Sequence, residues 1–331
     1  MSSHFSDKLL AKAKAAPKKV VFPESDDERI LRAAHRVRDM GIAYPVLIGN
    51  YGTIAALAGE TGVPVESFAV VDHTDGQRGR QYVEMFLQNN QDFSAAALKR
   101  MLRNPLWFAA MMVALGEADC LAAGVRHTTG EVIMAGQTLI GLKEGTSTVS
   151  SVGVLDIPGF DGPEGQLLAI ADCAVNPAPD SCELADIAIT TADTLRNLLG
   201  WEPRVAMLSF STKGSAEHEN VEKVIKAVQI ANERRPDLLI DGEFQLDAAV
   251  VPAVAAKKVR GGSAVAGRAN IIIFPDLGAG NIGVKLVQVF AGATAAGPLL
   301  QGFRKPVTDF SRSAPVEEIV GAITIVVACA Q

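Results

Sequence analysis

The chain has 331 residues, 48% hydrophobic and 21% charged, which is material for about two folded domains and not for a disordered segment. A formal net charge of −6 argues against nucleic acid as the main partner, yet leaves room for a small polyanion met by a local basic cluster. No apolar run reaches membrane-spanning length, so no membrane partner is expected and the expected compartment is the cytoplasm. The N-terminus carries no apolar signal core and reads as a short amphipathic helix ending at Pro17-Lys18-Lys19. Cys120, Cys173, Cys182 and Cys329 are scattered without metal-ligand spacing and read as buried free thiols. The histidines are dispersed too, so no metal site is expected.

In chain order, KKVVFP, ending at Pro23, predicts a strand, followed by the acidic turn Glu24-Ser25-Asp26-Asp27. Residues Glu28 to Met40 place apolar side chains at helical spacing, with Gly41 where a C-cap belongs, and Tyr44–Gly49 is a second strand. The rhythm returns with Ile54–Ala58, Phe68–Asp72, a long polar helical stretch and Asp119–Gly124. Such alternation implies an α/β fold with a largely parallel sheet and helices on both faces. Thr128-Thr129-Gly130 then offers hydroxyls at a helix start, and that helix is expected to reach about Leu142; ordinary N-capping explains the threonines equally well. A composition change puts a domain boundary near Gly145. Beyond it come strands at Ser150–Ile157 and Leu167–Asp172, then strand–loop–helix units opening at Val205, Leu238 and Ile271.

Two late stretches combine small, polar and basic residues between apolar runs. In Pro275–Lys285, Gly278, Gly280 and Gly283 read as a turn whose backbone approaches a ligand, ahead of a helix starting near Val284. In Gly302–Val320, Lys305, Ser311 and Arg312 are donors and Glu317 and Glu318 are carboxylates. Pro315 marks a helix start there, so Ser311 and Glu318 are expected to meet across its N-terminus. The picture is phosphate held by Ser and Arg beside a carboxylate base. Other chemistries lack support: there is no G-x-x-x-x-G-K-[ST] and no G-x-S-x-G. The G-x-G-x-x-G of residues 278–283 lies too late in the chain to open a dinucleotide-binding unit. Ser211-Thr212-Lys213-Gly214-Ser215 is a further polar loop that suits phosphate or plain loop chemistry.

From end to end the chain resembles the phosphate acetyltransferase (phosphotransacetylase) and phosphate butyryltransferase family. PRVAMLSFSTKGSAEH, DGEFQLDAA, FPDLGAGNIGVKLVQ and GPLLQGFRKPVTDFSR carry the resemblance, and IGLKEGTSTVSS and LADIAITTADT look most like its ethanolamine-utilisation branch. The resemblance implies two open, parallel-rich α/β domains with a cleft between them, related to isocitrate and isopropylmalate dehydrogenases. The last segment would return to the first domain, giving 1–145 plus 299–331 and 146–298. It also implies reversible transfer of acetyl between CoA and phosphate in a ternary complex, with no cofactor beyond CoA as substrate. A homodimer is implied as well, and the ethanolamine branch adds association with a bacterial microcompartment.

Residue by residue, the resemblance implies Ser311 for stabilising the thiolate or oxyanion, Arg312 for phosphate and Glu318 as the base. Thr128, Thr129, Asn281, Lys285, Gln301 and Lys305 match substrate-binding positions. The departures are Met134 and Val289 where the family has arginine, FLQNNQ (86–91) for a basic run, and Ser313 for glycine. Arg126 and Arg304 are the cations placed to stand in. The alternatives are a family member that binds acetyl-CoA in a regulatory role, or a transferase for another short acyl group.

Overall fold

The computed structural model describes residues 3–330. It divides into two compact units, one built from 4–143 with 303–330 and the other from 144–302.

The first unit opens with α1 (Ser3–Ala15), β1 (Lys18–Phe22), α2 (Glu28–Asp39), β2 (Ala43–Ile48), α3 (Tyr51–Thr61) and β3 (Ala69–Val71). Three helices follow: α4 (Gly76–Leu87), α5 (Ala95–Met101) and α6 (Pro105–Ala114). The expected long polar helix is thus broken, and Asn104 restarts it by accepting from the Leu106 N–H, with Pro105 in the first turn. Then come β4 (Cys120–Ala123) and α7 (Thr129–Ala135). The helix beginning at Thr129 stops being α-helical earlier than its sequence predicts. It widens into a π turn over Gly136–Ile140, where a side chain at 136 would meet the Phe303 ring at 2.8 Å.

The second unit runs β5 (Ser150–Asp156), β6 (Leu167–Ala171), α8 (Ser181–Leu199), β7 (Arg204–Leu208), α9 (Glu219–Arg234) and β8 (Leu239–Phe244). It continues through α10 (Leu246–Val250), α11 (Pro252–Lys258), β9 (Ile271–Ile273), α12 (Leu277–Ala291) and β10 (Thr294–Gln301). The chain then returns to the first unit with β11 (Val307–Asp309) and α13 (Val316–Cys329).

The first sheet, in order β11-β4-β1-β2-β3, is parallel throughout. Its strands are near-continuous apolar runs because helices cover them; Val20, Val21 and Phe22 of β1 are fully buried. Helix α2 turns Ile30, Leu31, Ala33, Ala34 and Val37 inward, and α13 packs on it. The second sheet, β10-β5-β6-β9-β7-β8, is parallel from β6 onward and antiparallel at the β10–β5–β6 edge. Of the thiols, Cys120 is buried, Cys173 and Cys329 are partly buried, and Cys182 is exposed on the first turn of α8, against the sequence expectation. Burial pushes the Cys173 and Cys329 thiols up to about 12, which makes them poor nucleophiles.

Candidate functional site

Parallel neighbours β1, β4 and β11 end on the same side of the first sheet, where open α/β sheets hold their ligands. The connection after β1 delivers Glu24 into the protein, only 2% exposed. Its Oε2 accepts the N–H groups of Gly124 (2.9 Å) and Val125 (3.0 Å), and its Oε1 those of Arg126 and His127 (both 2.9 Å). The His127 Nδ1 joins Oε1 at 2.8 Å. Burial works against the Glu24 charge, but the His127 ring and the backbone donors outweigh it and hold the carboxyl below its usual range. The same hydrogen bond raises His127. One buried carboxylate therefore shapes the whole segment from β4 to α7.

On the neighbouring strand, β11 ends at Asp309, whose Oδ2 accepts from the Thr129 hydroxyl at 2.5 Å. Its Oδ1 is buried and has no partner among the described residues. Gly124, at φ +124°, lies so close that a Cβ there would fall 2.4 Å from this oxygen, so no other residue fits. Burial, opposed by Thr129 and aided by the Glu24 charge, pushes the Asp309 carboxyl up to about 6.

Two residues on, the chain turns through Ser311-Arg312-Ser313, closed by the Ala314 N–H on the Ser311 carbonyl (2.9 Å). Arg29 fixes this turn from α2. Its Nη1 donates to the carbonyls of Arg312 (2.7 Å) and Ala314 (3.3 Å), while Asp27 holds its Nε and Nη2 at 3.0 and 2.9 Å. Ser311 Oγ lies 3.0 Å from Ser313 Oγ and also receives the Ser313 N–H at 3.3 Å. Both hydroxyls and the Arg312 side chain remain exposed. The Arg312 charge is felt at Glu131, whose carboxyl is lowered chiefly by the Thr128 backbone N–H and hydroxyl. Glu318 is exposed on the first turn of α13, as Pro315 predicts, and its side chain has no hydrogen-bond partner among the described residues. Glu317 beside it pairs with Arg36 at 2.6 Å. Ser311 and Arg312 thus lie exposed in the connection from β11 to α13, and Glu318 stands exposed on the first turn of α13.

The threonine pair lies next to that connection, but its hydroxyls are engaged. Thr128 forms a capping box with Glu131, and Thr129 serves Asp309. Lys305 precedes β11, and its Nζ would lie 3.9 Å from a Cβ at Gly116, at the opposite end of the sheet from Ser311. Arg126 is turned to Asp26 at 2.6 Å, and the Nε of Arg304 donates to the Leu142 carbonyl at 3.0 Å.

In the second unit, Gln301 is buried, its Nε2 donating to Ser150 Oγ (2.9 Å) and Thr191 Oγ1 (2.8 Å). Asn281 and Lys285 are exposed one turn apart on α12. The glycines before them do not form a loop: they lie in the first turns of α12, which Asp276 caps through the Ala279 N–H. Gly280 is required there by close approach, since a Cβ would meet the Asp172 carbonyl oxygen at 2.4 Å. Asn281, Gly278 and Ile282 line a cavity of about 530 Å³ with Cys173, Ala174 and Pro177. Glu24, Asp309 and Arg29 were missed in the sequence. The acidic turn after β1 and the Thr-Asp ahead of Ser-Arg were the available signals, but their partners lie about a hundred residues or more away.

Residues 4–327 match the family model described as phosphate acetyl/butaryl transferase. The chain belongs to this family. It is 45% identical over 321 residues to a phosphate acetyltransferase of Clostridium acetobutylicum, covering 96% of each chain. A phosphotransacetylase structure from Streptococcus pyogenes is 36% identical, with TM-score 0.90 over 100% of this chain and 99% of that one. The EutD phosphotransacetylase from Staphylococcus aureus is 34% identical, with TM-score 0.88 over 98% and 99%. Against the resemblance drawn above, Met134 and Val289 stand exposed where family arginines are expected, at 51% and 74%. No helix among the described residues is long and apolar enough to cross a membrane.

Proposed function

We propose that the protein is a phosphate acetyltransferase that moves acetyl reversibly between CoA and phosphate. What carries the reading is family membership over nearly the whole chain, together with a Ser311-Arg312 turn whose side chains are exposed. Glu318 takes the CoA thiol proton, which is needed because a thiol with pKa of roughly 8.5 is mostly protonated at neutral pH. The thiolate sulfur then bonds to the acetyl carbon, the bond from that carbon to the phosphate oxygen breaks, and the proton passes to the departing phosphate. Ser311 donates to the developing oxyanion or thiolate, and Arg312 holds the phosphate. Asn281, Lys285, Gln301, Thr128 and Thr129 are the proposed substrate-binding set; Lys305, at the opposite end of the sheet from Ser311, is left out of it. Within the set, the two threonines act by shaping backbone, because their hydroxyls are already paired, whereas buried Gln301 has its Nε2 engaged and its Oε1 without a partner among the described residues. Cytoplasmic residence, with association to a microcompartment, belongs to the same proposal.

The test is thioester formation from acetyl phosphate and CoA, repeated with butyryl phosphate. Turnover lost in Ser311→Ala, Arg312→Ala and Glu318→Ala supports the reading. An inactive wild type, or three active variants, overturns it.

A homodimer is part of the proposal. Ile282, Leu286, Val289 and Phe290 recur at helical spacing on α12 and are 62, 50, 74 and 82% exposed, while Val284 and Val287 pack inward on the core. A two-fold partner covers such a face with the same face of a second copy. Sedimentation analysis of Val289→Asp/Phe290→Asp should show monomers; a dimer unaffected by the change would rule out this face.

A further inference from the structure

Asp309, partly buried with its Oδ1 enclosed, stands apart from the buried carboxyls. Glu24 has five N–H donors on its two oxygens, and Asp172 accepts from Ser151, Ala174, Val175 and Asn176. Asp309 has the Thr129 hydroxyl alone, and its second oxygen is sealed in without a partner among the described residues. A half-satisfied buried carboxylate costs stability. The groups around it offer no relief: Glu24 repels it, Gly124 presses on it without donating, and the Gly124 N–H is spent on Glu24. Arg126 and Arg29, on the neighbouring segments, are held by Asp26 and Asp27.

What this costly side chain joins is informative. It sits on the last residue of β11, one residue before Phe310, whose N–H continues the ladder to the Ala123 carbonyl at 2.8 Å. Ser311 and Arg312 follow directly. Through Thr129 it grips the first residue of α7, and through Gly124 it meets the segment that Glu24 shapes.

We propose that Asp309 is a positioning residue for the transfer reaction, fixing the Ser311-Arg312 turn against the 124–129 segment through Thr129 and Gly124. The proposal rests on the transferase reading above. Placement matters at this scale because a shift of about 1 Å at a reacting group costs on the order of a hundred-fold in rate.

The linkage has a definite sign. The folded carboxyl titrates near 6, above its ordinary value, so the folded protein binds this proton more tightly than the unfolded chain does. Stability therefore falls as pH rises from about 4 to about 6, and the penalty is complete at neutral pH. Asp309→Asn removes the charge and weakens the bond from Thr129, because a neutral amide oxygen accepts less strongly than a carboxylate. At pH 7.5 this variant is expected to melt no lower than wild type, while its kcat falls about ten- to a hundred-fold and KM for both substrates stays within about three-fold. The wild type should show an acid limb in kcat near pH 6 that the variant lacks. Thr129→Val should lower kcat similarly, and Thr129→Ser should restore it. Parallel loss of stability and rate in Asp309→Asn would make the residue merely structural and overturn the proposal. So would wild-type kcat with the acid limb intact. A wild type without turnover fails the transferase reading itself, whereas an active wild type beside an indifferent Asp309→Asn fails this proposal alone.

Discussion

Two loops of this protein are built from nearly the same residues and have opposite fates. Ser211-Thr212-Lys213-Gly214-Ser215 and Ser311-Arg312-Ser313 each follow a strand and each offer hydroxyls and a cation. In the first, the donors are engaged by neighbouring residues of the protein. Ser211 Oγ and the Gly214 N–H both go to the buried Glu243 at 2.8 Å, the Thr212 N–H goes to Ser215 Oγ at 2.9 Å, and Lys213 pairs with Asp241 at 2.6 Å. In the second, an arginine from another helix takes the carbonyls, so the side-chain donors stay outside. Polar composition marks where an anion site is affordable; the disposition of the neighbouring carboxylate decides whether donors remain to make one.

Substitutions should widen that contrast. Arg312→Ala is expected to cost on the order of 10²–10³ in acetyl transfer, whereas Lys213→Ala should leave turnover within about two-fold. Comparable losses in both would erase the distinction between the loops. Next in size, Ser211→Ala removes a donor from buried Glu243 and should cost about 1–3 kcal/mol in urea unfolding, with kcat untouched. A kcat loss there would place the 211–215 loop in the reaction after all.

The smallest effect tests the Glu24–His127 pair. His127 is raised by its hydrogen bond to Glu24, so its contribution is full below the unfolded value of 6.5 and is lost as pH rises through the folded one. Glu24 is lowered, so its contribution is present above 4.5 and is lost as pH falls. His127→Asn should flatten the alkaline decline, a change of about 1 kcal/mol, or about 2–4 °C in Tm. An unchanged alkaline slope would show that the pair adds nothing.

Much of the fold was legible because apolar runs and capping residues act locally. The buried strands of the first sheet, the amphipathic α2 and the helix start at Pro315 all stand where their residues place them. The turn after β11 and the helix start that carries Glu318 were legible for the same reason: they lie in one continuous stretch. What escaped was long-range satisfaction of buried polar groups. Nothing near Thr129 in the chain announces Asp309, and nothing near Glu24 announces the Gly124–His127 amides. Lys305 and Ser311 are close in sequence, yet a strand between them carries them to opposite ends of the sheet. The early end of α7 falls where Gly136 meets Phe303, a residue supplied by the returning segment and so invisible to local reading.

That return also sets an order of events during synthesis. Strand β4 stays an open edge until β11 is made, 184 residues after Ala123 (307 − 123). At about 5–20 residues per second, a nascent chain carries that unpaired edge for roughly 10–40 s while the second unit is completed. An apolar parallel strand waiting so long is a template for wrong pairing. A ribosome-stalled product ending before Val307 should accordingly be the chaperone-bound, aggregation-prone form of this protein.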